Sequence, residues 1–527
     1  MALTTKRRPR RLAALSAVAL TAALTLTACS SSSDEPKTPA NSSDTSTSSA
    51  APKAEKDLIL AAQSGPNSLD PAQLVDGNQA YVWSAIFDTL LIKENGTGKL
   101  LPNAAESWEY NASGTELTLH LRSGMTFSSG DPVTAEAVVT TMKRNKDTPG
   151  IVQVKYSAVS DVTATDDSTV VVHFDHFDPQ FLSNLAQSTG AIGDPATINE
   201  ERTATDPIGS GPFTLDVSKT VPGNTYVLNK RADYWNADSI PFKTLTVRVL
   251  QDPTAAFNAL QAGEVNASSV QAPLVPKLGD EFTIKKLDAT GSAFLCFIDR
   301  GGEKFPWLGD VRVRQAINYA LDREGLLKGV FQGSGKVTEQ VVSPWGAIYE
   351  EDLNNTYPYD PAKGKQLVEE AGYAGTTVKM PSTYLTTTVE APLTQAFADI
   401  GLKLEWVPVP PQQVQAAQLS GEYPITFQII GFNSDPADTD ANFGPTGYAN
   451  PAGYTDDTID GFLTTIGSTP DFEKALPAYR GLNEYAVDQA LVAPILYIGQ
   501  TWATRDGIVM DDDLAVFPSY RMFTVAE

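Results

Sequence analysis

Leu117-Thr118-Leu119-His120-Leu121-Arg122-Ser123-Gly124-Met125-Thr126-Phe127, followed by Gly130-Asp131-Pro132-Val133-Thr134-Ala135-Glu136-Ala137-Val138, is the stretch on which the fold is read. Leu117, Leu119 and Leu121 alternate with Thr118 and His120, the period-two pattern of a half-buried strand. Gly130-Asp131-Pro132 is a turn, and it hands over to a helix through Thr134 and Val138 to Met142. Upstream, Pro102-Asn103-Ala104-Ala105-Glu106-Ser107-Trp108-Glu109 completes a hairpin with an aromatic plug. Glu106, Trp108, Gly124, Asp131 and Pro132 therefore read as scaffold rather than as ligand contacts.

Outward from this block, strand and helix patterns are mixed. Leu58 to Ala62 reads as a strand, Asn78 to Leu91 as a helix on Val82, Ile86 and Leu90, and Val170 to Phe174 as another strand. Ile208 to Arg248 is β-rich, and Thr254 to Ala262 is a helix stopped by Gly263. Val313, Ala316, Ile317, Ala320 and Leu321 predict one helix from about Asp310 to Phe331, with Asp322 and Arg323 in local ion pairs. Asp360-Pro361 opens a further helix and Gly372 closes it. The mixture implies an α/β architecture, and about 470 residues exceed a single core, so more than one lobe is expected.

The N-terminus gives an address. Lys6, Arg7, Arg8, Arg10 and Arg11 precede an uncharged apolar run from Leu12 to Leu26, the order of a secretory signal. The run is shorter than the ~20 residues of a membrane-spanning helix. Leu26-Thr27-Ala28-Cys29 resembles the bacterial lipobox, so Cys29 is the expected lipidation site, with residues 1–28 as signal peptide. Residues 29–56 are rich in Ser, Thr, Pro and Ala and lack the apolar surface to fold; a flexible coil of this length reaches about 30 Å. Formal net charge is −24, and losing the five signal cations takes it to −29, which disfavours nucleic acid. With Cys29 lipidated, Cys296 has no partner in its own chain and reads as an inert core thiol.

Enzyme signatures fail one by one. The chain holds three histidines and no H-E-x-x-H; His173 and His176 match a metal pair on spacing alone, but lie at a strand end among acidic or apolar neighbours with no thiol nearby. Gly333-Ser334-Gly335-Lys336 imitates a phosphate-binding loop, but Val330 and Val337 replace the first glycine and the Mg²⁺-ligating hydroxyl. Ile208 spoils Gly209-Ser210-Gly211 as a nucleophile elbow. No catalytic residue, metal or cofactor is expected.

Asn67-Ser68-Leu69-Asp70-Pro71-Ala72, the block from Pro102 to Val138, Ile208-Gly209-Ser210-Gly211-Pro212-Phe213, Tyr234-Trp235, Ala259-Leu260-Gln261-Ala262-Gly263-Glu264-Val265, Asp310 to Arg323 and Tyr359-Asp360-Pro361 stand in one order. In that order they resemble the solute-binding lipoproteins of peptide- and nickel-type ABC importers, the bacterial extracellular solute-binding proteins of family 5. The resemblance implies a bilobal periplasmic-binding-protein-like clamp with an extra domain inserted in the first lobe. Residues 57–95, 205–290 and 496–527 would form the first lobe, 96–204 the insertion and 291–495 the second lobe. The chain would cross between lobes near 290–298 and 490–500.

The resemblance also implies a ligand site. Gly431-Phe432-Asn433-Ser434-Asp435 resembles the family's loop of glycine, aromatic, two residues and aspartate, in which the aspartate pairs with a peptide's α-ammonium. Asp435 falls on that position, Phe432 replaces a frequent tryptophan, and an acidic Asx-rich turn is the alternative reading. Trp345 and Tyr384 are candidate cleft residues; Lys336 and Lys379 are the cations considered for a ligand carboxylate. The implied function is a lipid-anchored receptor on the extracytoplasmic face of the cell membrane. It would be a monomer that captures oligopeptides or dipeptides and delivers them to an ABC permease and ATPase complex. Alternatives are a nickel chelate, an oligosaccharide or another cationic compound, and more remotely a surface sensor or a secreted hydrolase.

Overall fold

The alternating leucines form the strand Glu116–Leu121 in the computed structural model, which describes residues 55–510 and 517–526. The signal segment, Cys29 and the tether through residue 54 lie outside the described residues. Glu116–Leu121 pairs antiparallel with Ala105–Tyr110 on one side and with Thr169–Phe174 on the other. Leu117 and Leu119 are fully buried, each contributing about 2 kcal/mol by leaving water. Gly124 turns the chain at φ +76°, and Thr134 caps the helix Ala135–Asp147 by accepting from Ala137 N at 3.3 Å. This hairpin, its neighbours and the helix enclose their own core around Phe127, Val138, Tyr156 and Phe181.

The main sheet, nine-stranded among the described residues, begins at the edge strand Ile425–Gly431. It continues through Thr283–Phe297, Val492–Thr504, Ala267–Val270, Lys56–Ala62, Phe242–Val249 and Thr225–Lys230 to Phe213–Leu215, with Gly335–Val337 added to Val492–Thr504. Lys56–Ala62 runs parallel to both its neighbours, and the other pairs are antiparallel. Two strands join separate cores. Leu287 and Trp502 pack with Leu58, Trp83 and Leu245, whereas Ala293, Leu295, Ala493 and Ile495 pack with Ile317, Leu393 and Phe397. Between them the pairing slips from Leu287 to Gly291, and a Cβ at Gly291 would meet Ile430 O at 2.5 Å. Cys296 lies beyond this slip, fully buried, with burial pushing its thiol up to about 11 and Sγ donating to Ala449 O at 3.1 Å.

Two helix predictions are corrected. The helix predicted over 78–91 is Ala80–Ile86, because Phe87 turns extended and Asp88 becomes a buried acceptor for Tyr234, Trp235 and Asn103. Leu90 then serves a different core from Val82 and Ile86, so their four-residue spacing is not one helix face. The helix predicted over 310–331 is two, Val311–Ala320 and Arg323–Gly329. Asp322 caps the second by accepting from Gly325 N at 2.8 Å. Arg323 turns inward to donate to Pro494 O at 2.8 Å and to Asn318 Oδ1 at 2.9 Å, in place of a local ion pair. No helix among the described residues is long and apolar enough to cross a membrane.

Candidate functional site

Phe432-Asn433-Ser434 leaves the edge strand and opens the helix Asp435–Phe443. Ser434 is its N-cap, Pro436 sits in the first turn, and Asp435 and Asp438 occupy the turn where the helix dipole favours carboxylates. The Asx-rich segment is thus a helix N-terminus. Asp435 Oδ2 accepts from Ala347 N at 2.7 Å, while its Oδ1 is buried against Gly346 with no hydrogen-bond partner. Arg480 holds the same loop from the other side, donating to Ala347 O at 2.9 and 2.8 Å. Burial pushes the Asp435 carboxyl up to about 6, against the pull of the Ala347 and Ile348 amides.

Asp438 deepens the acidity. It is 4% exposed, accepts from Asn433 N at 2.9 Å and leaves Oδ2 buried without a partner. Burial, and then the like charge of Asp435, push it up to about 8. Aromatic rings flank the pair of acids. Trp345 meets Phe432 edge-to-face at 5.1 Å, and Phe432 meets Tyr497 at 5.5 Å. Of the residues expected at the site, Asp435, Phe432, Asn433, Ser434 and Trp345 come together.

Tyr384 stands apart from them. It is 68% exposed and lines a separate cavity of about 520 Å³. Asn433 and Ser434 line another cavity, of about 320 Å³, whose far side carries Asp76, Lys93, Lys155, Gln180 and Gln187. Tyr448 lines both cavities. Three hydrogen bonds cross the smaller one: Lys93 Nζ to Asn433 O at 3.0 Å, Gln187 Nε2 to Asn433 Oδ1 at 3.3 Å, and Gln180 Nε2 to Asp440 Oδ2 at 3.0 Å. Lys155 is held by Asp76 at 2.6 Å, whereas Lys93 makes no ion pair among the described residues. Burial lowers the Lys93 ammonium to about 8.

Lys336 and Lys379 are paired with Glu351 at 3.3 Å and Glu405 at 3.8 Å. His173 faces Glu116 and Thr163, and no group of three metal-ligating side chains occurs among the described residues. Sequence reasoning missed Lys93, Gln180 and Gln187. Lys93 had one signal, a cation closing the apolar run Leu90-Leu91-Ile92; the glutamines had none.

The model of bacterial extracellular solute-binding proteins, family 5 (Middle) matches residues 99–454, more than half of the chain. The chain belongs to this family. Heme-binding protein A of Haemophilus influenzae is 27% identical, over 90% of this chain and 92% of its own. Di/tripeptide-binding protein 1 of Pseudomonas aeruginosa is 26% identical, over 84% and 88%. The ABC transporter substrate-binding protein CtaP of Listeria monocytogenes superposes with a TM-score of 0.78 at 22% identity, covering 90% of this chain and all of that one. DppA of Helicobacter pylori, solved with the peptide STSA, gives 0.70 at 20% identity, over 90% and 99%. The bilobal α/β fold expected from the sequence is the fold of these family 5 neighbours.

Proposed function

We propose that this family 5 protein is the membrane-anchored substrate-binding component of an ABC importer, capturing oligopeptides or dipeptides between two lobes and passing them to the permease. The observation that carries the reading is the Asp435 carboxylate, with one buried oxygen that has no donor, beside the Trp345–Phe432 pair. A ligand ammonium is the chemistry that completes such an acceptor, because a buried carboxylate is stable only when paired. Peptide-named relatives of similar length point the same way.

The lobes of this reading are 57–95 with 205–290 and 496–527, the insertion 96–204, and 291–495. Leu287–Gly291, where strand pairing slips, serves as hinge, and Lys93, Gln180 and Gln187 reach across to Asn433 and Asp440 on closing. Cys29 tethers the receptor outside the cytoplasm, and the protein performs no chemistry of its own. The test is native mass spectrometry of the purified protein before and after refolding. A ladder of peptide masses that refolding removes is expected; one fixed non-peptide mass would replace this reading. Undiminished peptide affinity in Asp435→Ala would remove Asp435 from the site.

A further inference from the structure

The cavity beside Tyr384 has a composition that stands out in so acidic a chain: no Asp, Glu, Lys, Arg or His lines it. Its walls are Tyr384, Tyr448 and Ile429 with the glutamines Gln412, Gln415, Gln418 and Gln428. Three of the large side chains this protein leaves in water, Tyr384 at 68%, Ile429 at 43% and Tyr448 at 36%, gather on this one cavity. Exposed aromatic surface concentrated on a concave space marks contact with a ligand.

The polar groups are arranged for the same purpose. Gln418 is consumed by structure, donating to Phe427 O at 3.0 Å and accepting from Tyr448 Oη at 3.2 Å, which fixes the Tyr448 ring. Gln428 is 1% exposed and keeps an Oε1 with no partner. The amide heads of Gln412 and Gln415 make no hydrogen bond within the described chain and are exposed. A side-chain amide offers one acceptor and two donors and carries no charge. Such groups match an amide or hydroxyl, and leave a carboxylate or ammonium to be desolvated without a counter-charge.

We propose that this cavity is a ligand subsite for an uncharged, hydrogen-bonding group carried on a flat or ring-sized body, an amide or a polyhydroxyl face, and that it selects against charge. The inference rests on the solute-capture reading above and deepens it. Because Tyr448 lines both cavities, a solute held near Asn433 can extend into this one. At about 520 Å³ the space suits a whole residue or sugar ring rather than a few waters.

The probes are an equimolar mixture of tripeptide amides Ala-Ala-Xaa, with Gln, Asn, Glu or Lys as Xaa, and separately an amino disaccharide, read by competition in native mass spectrometry. The uncharged members should bind at least about tenfold better than Glu or Lys members. Gln415→Glu, an exposed and isosteric change, should raise the Lys peptide relative to the Glu peptide by a similar factor, and Tyr384→Ala should weaken the preferred ligand about tenfold. Binding of the disaccharide in preference to all peptides would identify hydroxyls as the group recognised. Equal binding of all four peptides, or a preference untouched by both substitutions, would overturn the subsite. Wild-type protein that retains neither peptides nor amino disaccharide would instead overturn the peptide-capture reading, and this inference with it.

Discussion

Asp435→Asn should make the ligand-free protein more stable at pH 8 while weakening capture of an ammonium ligand. Burial holds the Asp435 carboxyl near 6 in the fold, against about 4 in an unfolded chain. Between those values the native state binds more protons than the unfolded state, so stability falls as pH rises from about 4 to about 6. Above 6 the full penalty stands, about 3 kcal/mol at ~1.4 kcal/mol per pH unit. Asparagine is never charged and can still accept from Ala347 N, although that bond loses its charge assistance, a loss of about 1 kcal/mol. A net gain of about 2 kcal/mol is therefore expected at pH 8, shrinking to zero or below at pH 4. Relief of the neighbouring Asp438 carboxylate acts in the same direction. The assay is urea unfolding of refolded, ligand-free protein at both pH values, alongside calorimetric titration with peptide. Affinity should drop at least about 30-fold, since removing one member of a buried charge pair costs about 2 kcal/mol or more. Equal stabilities at pH 8, or a gain that persists at pH 4, would refute the argument that an ionised carboxylate is held in a poorly solvated place.

Lys93→Ala removes the ammonium that reaches Asn433 O and should weaken ligand affinity about fivefold by loss of a roughly 1 kcal/mol contact, measured by calorimetry, with the unfolding midpoint unchanged. Arg323→Ala should destabilise by about 3–5 kcal/mol in urea unfolding, because Pro494 O and Tyr357 O lose their donor and buried Glu339 loses its cation at 4.0 Å. Cys296 should resist alkylation in the folded protein at pH 8 and react once urea unfolds it, as a thiol held near 11 in a core must.

Legibility followed the range of the interactions. The hairpin at 105–121, the Thr134 cap, and the Asp360-Pro361 start and Gly372 stop were readable because each is decided within a few residues. The break at Leu321-Asp322 was not, because it is fixed by Arg323 reaching a carbonyl on a strand 171 positions away. The same holds at the site. Asp435 and Phe432 could be placed from one loop, but Lys93, Gln180 and Gln187 meet Asn433 and Asp440 from far along the chain. The uncharged cavity was invisible for a different reason: glutamines scattered from 412 to 428 carry no spacing that distinguishes a lining from a solvated helix face.

If the protein captures a solute as proposed, the contacts across the smaller cavity bear on release as much as on capture. They come from one ammonium and two amides, and the carboxylate among their acceptors, Asp440, faces an uncharged donor. Each such bond contributes about 0.5–1.5 kcal/mol net, and ordering the long Lys and Gln side chains takes back much of it. A receptor of the proposed kind, which would hand its cargo over, needs this weakness. An ion-pair clamp at the same place would close tightly without ligand, and every kcal/mol of such closure would slow release. On the proposed reading, the strong electrostatic interactions come instead where a ligand would complete them, at the unpartnered buried oxygens of Asp435 and Asp438. Occupancy, rather than these contacts, would then favour the closed form of the proposed clamp, provided the ligand binds that form better than the open one.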